Sequence, residues 1–186
     1  MSSITNDAAT HKRSYVYLVS LVAAVGGFLF GYDISIISGA VIFMKTEFNL
    51  TPTELGFVMS SAQIGCIFGA MMGGTLCDIF GRKKTIIVAA ILFGLTTVFT
   101  ALAPNLTIFN IFRFVGGLGI GLASIVSPMY IAEIAPSSIR GRLVTLNQFA
   151  ICIGLLSAII VSYFMSFGLG WRWMFASQGI PVIFLA

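Results

Sequence analysis

The 186 residues are 58% hydrophobic and only 9% charged, with a formal net charge of +4. A soluble domain carries about a quarter charged residues, so a water-facing globule is excluded and lipid is the expected solvent. The ten Lys and Arg stand in pairs and triplets between apolar runs rather than on one face, which also excludes a nucleic-acid-binding surface.

Residues 1–14 are polar and without periodicity, which predicts a disordered cytoplasmic tail holding the single His11. The remainder, 15–186, is expected to form an all-α, six-helix membrane bundle. Its spans fall at about 15–42, 55–76, 84–103, 107–132, 144–166 and from Trp171 onward. The last is expected to be cut short, because fewer than the roughly 17 residues a crossing needs remain before Ala186. The first run follows Lys12 and Arg13 but is too long for a signal-peptide core, and it reads as a retained span.

Positive connections stay cytoplasmic. The tail (Lys12, Arg13), the 2–3 loop (Arg82, Lys83, Lys84) and the 4–5 loop (Arg140, Arg142) hold seven of the ten bases, whereas Lys45 and Arg172 lie on the other side. The amino terminus is therefore expected inside. Glycines four apart, at 27 and 31, at 65, 69 and 73, and at 117 and 121, place smooth stripes on three helices and predict close helix packing. Cys66, Cys77 and Cys152 lack ligand spacing and read as small packing residues, so no metal is expected.

Two charges fall inside spans, Asp33 in the first and Arg113 in the fourth. Each costs at least about 2.5–3.5 kcal/mol to insert, so they are expected to pair. Counted at about 1.5 Å per residue from the outer helix ends, both sit roughly level in the outer half of the membrane. A pair can simply fasten the bundle. It can also couple transport to protons: Arg113 holds Asp33 ionised, and a rearrangement that parts them lets Asp33 take up a proton. On the cytoplasmic side, Gly74, Asp78, Gly81 and Arg82 form one acid–glycine–base turn, and Glu133, Arg140, Gly141 and Arg142 form a second. One such loop is ordinary topogenic charge, but two on one face predict an ionic latch.

The order of motifs resembles the sugar porter family of the major facilitator superfamily, from about Tyr15 to the end. Similarity is carried by Gly26-Gly27-Phe28-Leu29-Phe30-Gly31-Tyr32-Asp33 in helix 1 and by Gly74 to Lys84 in the 2–3 loop. Further matches are Pro128 to Pro136 with Arg140-Gly141-Arg142 around the end of helix 4, Asn147-Gln148-Phe149 in helix 5, and Gly170-Trp171-Arg172 before helix 6. The resemblance implies the first half of a twelve-helix fold, built from two inverted three-helix repeats, with sugar bound between the halves near the midplane. In the bacterial proton-coupled sugar symporters that it resembles most, the residue matching Asp33 is the proton site and that matching Arg113 its partner. By the same resemblance, Gln148 is a ligand for sugar hydroxyls and Phe30 lines the cavity. Two positions depart from the pattern: Leu155 stands where several relatives have a second glutamine, and Ile79 where the 2–3 loop often has a base.

The expected function is secondary active transport, sugar or polyol with a proton, across the plasma or inner membrane. The expected partners are the sugar, the proton, the bilayer and the missing carboxy-terminal half, and the fragment alone is expected to be inactive. A facilitative uniporter, in which Asp33 is structural only, and a transporter-like nutrient sensor are the alternatives. No nucleophile–base pairing, metal-ligand cluster or nucleotide loop points to an enzyme or a cofactor.

Overall fold

In the computed structural model the described residues are 24–168 and 170–182, and all their regular structure is helical. The expected tail at 1–14, with His11, Lys12 and Arg13, lies outside the described residues. The elements are α1 (Ser2–Glu47, described from Ala24), α2 (Pro52–Phe80), α3 (Arg82–Ala101), α4 (Leu106–Ile134), α5 (Ser137–Met165), α6 (Gly170–Ser177) and α7 (Gly179–Ile183). The first five are each long and apolar enough to cross a membrane.

Several helices outrun the apolar spans because local capping starts them early. Thr51 caps α2 in a reciprocal box with Glu54, and Pro52 sits at its first turn where a missing N–H costs nothing. Asn105 caps α4 by accepting from Ile108 N–H at 3.0 Å. α5 begins at Ser137 directly after Pro136, so Arg140 and Arg142 lie on its first turns rather than in a loop. At 29 residues, α2, α4 and α5 are each about 44 Å long, so their ends project beyond a core of about 30 Å.

The sixth segment is not one helix. It breaks at Gln178 between α6 and α7. Pro181 is the cause: it lacks an N–H, and its ring would collide with the carbonyl four residues earlier, at Ser177. The Gln178 N–H instead closes a tight turn onto Phe175 O at 3.1 Å.

The broadest interfaces are α2 with α4 and α1 with α5, followed by α3 with α4. Exchanging helix 1 with 4 and 2 with 5 maps the first of these onto the second. Both are seated by glycine. A Cβ on Gly65, Gly69, Gly117 or Gly121 would strike a carbonyl of the opposite helix, and so would one on Gly31 or Gly154. Without a hydrophobic drive between helices in lipid, such backbone approach is what packs them.

Candidate functional site

Asp33 and Arg113 are 3% and 5% exposed, in the interior of α1 and α4. They form a direct ion pair through a short hydrogen bond from Arg113 Nη1 to Asp33 Oδ1. A third member is not announced by the sequence. Gln178, at the α6–α7 break and 1% exposed, donates from Nε2 to the same Asp33 oxygen at 2.9 Å. The break in the helix is what frees this residue to point inward. An amide in apolar sequence was the available signal, weaker than a charge but governed by the same rule that singled out Asp33.

Aromatic packing between α4 and α6 holds Arg113. The guanidinium carbon of Arg113 lies 5.3 Å from the centre of the Phe175 ring. Phe175 in turn meets Phe109 edge to face at 5.3 Å, and Phe109 meets Trp171 at 5.7 Å. Next to Asp33, Tyr32 and Ser177 share a hydrogen bond of 2.7 Å that ties α1 to α6.

A cavity of about 260 Å³ opens on the opposite flank, between α1, α2 and α4. Asp33 and Phe30 both line it, with Ile34, Gln63, Cys66 and Ile120 among the other walls. Asp33 is therefore buried against Arg113 and yet borders open space. Gln148 is exposed on α5 and is not among the residues lining this cavity. Its neighbour Asn147 is the buried one, set against Gly27 so closely that a Cβ there would stand 2.6 Å from Asn147 Oδ1.

At the α2–α3 turn, Arg82 joins three helices. Its Nε donates to Glu133 Oε1 at 3.1 Å and its Nη2 lies 2.9 Å from the same oxygen. Asp78 stands 3.9 Å away and is 77% exposed, so it is the weaker partner. Gly81 takes φ +82°, a left-handed conformation that favours glycine, and this turns α2 into α3. Open space surrounds Gly74. Among the described residues Arg140 has no acidic partner; it donates to Ala135 O at 3.4 Å, bracing the α4–α5 turn, and Arg142 is exposed. Of the expected latch residues, the structure thus joins Arg82, Glu133 and Asp78.

The opposite end of the bundle carries a second clasp, one that the sequence does not announce. Glu47, at the end of α1, accepts from Trp171 Nε1 at 2.6 Å and from Arg172 Nη1 at 2.9 Å. Arg172 also stacks over the Trp171 ring at 4.5 Å. Among the described residues no cluster of three or more His, Cys, Asp or Glu could hold a metal.

Residues 19–186 match the family described as "Sugar (and other) transporter". The chain is 42% identical to the D-xylose-proton symporter of Escherichia coli (strain K12), an alignment covering 93% of this chain and 42% of that protein. It is 39% identical to the galactose-proton symporter of the same strain, over 94% of this chain and 38% of that one. Among solved structures, the proton:xylose symporter XylE bound to 6-bromo-6-deoxy-D-glucose superposes with a TM-score of 0.87 at 42% identity. That match covers 94% of this chain and 44% of the XylE chain. The chain thus spans less than half the length of the relatives it matches, and what it matches is their amino-terminal half. With an all-helical bundle of membrane-spanning length and a family match over nearly its whole extent, this multi-pass membrane protein belongs to the sugar porter family of the major facilitator superfamily.

Proposed function

We propose that this chain forms one half of a secondary transporter that carries a sugar or polyol together with a proton by alternating access. The carrying observation is the buried Asp33–Arg113 pair, because Asp33 also lines the cavity shared with Phe30. A pair that only fastens the bundle has no need of that opening. A carboxylate that borders open space can exchange a proton whenever its guanidinium partner is drawn away. Relatives named as proton symporters for xylose and galactose support the same reading.

In this account Asp33 is the proton site and Arg113 its counter-charge. Phe30 covers the C–H face of the sugar, and Gln148 offers an amide to its hydroxyls from the exposed side of α5, toward a second half. Arg82, Glu133, Asp78, Arg140 and Arg142, with Gly74 and Gly81, form the cytoplasmic gate region. The amino terminus lies in the cytoplasm and the protein resides in the plasma or inner membrane, as the distribution of Lys and Arg supports.

The test is Asp33→Asn in the whole protein, which imitates the protonated acid and cannot release a proton. Concentrative uptake is expected to stop, while counterflow exchange of sugar, which needs no net proton movement, is expected to continue. If the variant still concentrates sugar in a pH-dependent way, Asp33 is structural. Wild-type uptake that equilibrates but never concentrates would select the uniporter, and sugar binding without any exchange would select the sensor.

A further inference from the structure

One helical face of α3 is unusually polar for a membrane interior. Thr96, Thr97 and Thr100 are all buried on it. Such hydroxyls commonly bond back to carbonyls of their own helix. Thr96 donates to Leu92 O at 2.9 Å and lies 3.0 Å from Phe93 O, and Thr97 donates to Phe93 O at 2.9 Å. With their protons committed, these oxygens turn lone pairs toward their surroundings. Thr100 takes no such back-bond.

What they surround is the other flank of Arg113. The three threonines line a pocket with Arg113, Gly116 and Gln178, a space that Asp33 does not border. Gly116 brings Thr96 in, since a Cβ there would stand 2.8 Å from Thr96 Oγ1. The guanidinium spends Nη1 on Asp33, but its Nε–H is buried and has no partner among the described residues. Leaving a cationic N–H unpaired in this medium is costly. The pocket measures about 10 Å³, room for one water molecule. One donor, the Nε–H, and several acceptors, the threonine oxygens and the Gln178 carbonyl, are the partners such a water needs.

We propose that this pocket binds a single water that accepts from Arg113 Nε–H and donates to the threonine oxygens of α3. Thr96, Thr97 and Thr100 are then positioning residues for Arg113: they give the guanidinium a hydrated partner independent of Asp33. When Asp33 becomes neutral, Arg113 stays charged and in place instead of collapsing onto the nearest carbonyl. The water site stands on geometry alone, and only its consequence for coupling rests on Asp33 being the proton site.

Valine matches threonine in shape and lacks the hydroxyl, so Thr96→Val/Thr97→Val/Thr100→Val removes the acceptors without opening a void. The measurement is NMR of the whole protein labelled with 15N-arginine, the Arg113 Nε–H resonance being assigned by its disappearance in Arg113→Lys. The expected result is a direct cross-relaxation peak between Arg113 Nε–H and water, lost in the triple variant while the other arginine signals hold their positions. If the triple variant does not fold, Thr100→Val alone, which breaks no back-bond, is expected to weaken that peak. Absence of the peak in the wild-type protein, or its persistence undiminished in the valine variants, overturns the proposal. Proton coupling is read separately: the pH profile of uptake is expected to move in Thr100→Val. If Asp33→Asn still concentrates sugar, the proton-site reading fails while the water peak continues to decide the site.

Discussion

Gln178 donates to the one carboxylate oxygen that also takes Arg113, so Asp33 is held by two donors, one from α4 and one from the α6–α7 break. Replacing Gln178 by leucine keeps the volume and removes one of them. An ionised acceptor left short of a donor costs about 1–3 kcal/mol in a protein interior, but polar contacts between membrane helices average only about 0.6 kcal/mol. Because Arg113 remains in place, Gln178→Leu is expected to lose about 1 kcal/mol, read as a modest fall in the thermal denaturation midpoint of the purified protein. Arg113→Ala strands a buried carboxylate and is expected to lose about 3–5 kcal/mol by the same measurement. The contrast between these two residues also explains what could be read in advance. A full charge in apolar sequence is conspicuous, so Asp33 and Arg113 announced each other. Gln178 is neutral, and its inward aim depends on a helix break that hydropathy does not register. Glu47 was illegible for another reason: its partner Arg172 is 125 positions away, and its own position falls at the ragged end of a span.

The helices were legible as apolar runs, and their ends were not, because ends are set by single capping residues and prolines rather than by hydropathy. The four-residue glycine spacing was the most informative packing signal, since it marked the surfaces where α2 and α4 interlock. Spacing alone does not say which glycines are under contact. Gly117 faces the Ala62 carbonyl with no room for a methyl group, whereas Gly74 has open space around it. Gly117→Ala is therefore expected to push α2 and α4 apart and lose about 1–3 kcal/mol, while Gly74→Ala stays within about 0.5 kcal/mol of wild type. Thermal denaturation of the two variants in one detergent checks this. Equal midpoints would mean that the α2–α4 contact is looser than the structure has it.

The whole molecule presents two kinds of surface, and they separate what this chain can do from what it needs. α1 and α4, which carry Asp33 and Arg113, are 56% buried over their most apolar stretches, whereas α2 and α5 are only 22% and 17% buried. On α2 and α5 large side chains such as Phe57, Ile67, Met71, Phe149, Leu156 and Phe164 are exposed. Lipid can cover them, but so can a second helical bundle, and the relatives are more than twice as long as this chain. At the α2–α3 turn, Arg82 binds Glu133 while both remain one-third to one-half exposed, so the pair contributes no more than about 1 kcal/mol. That is still a factor of about five in a two-state ratio. In the whole protein, Arg82→Ala is expected to shift the inward-to-outward ratio by up to that factor, toward inward-facing, and exposed Arg142→Ala to shift it less. Cysteine labelling from each side measures both, and equal labelling in Arg82→Ala and wild type would reduce the cluster to topogenic charge. Alternating access needs two bundles that rock about a shared cavity, and the described helices form one. Reconstituted as a verified monomer in proteoliposomes, this chain is expected to show no saturable sugar uptake and no sugar-driven proton movement at any pH gradient. Saturable uptake by that monomer would mean that six helices suffice, and the account built on two rocking halves would have to be given up.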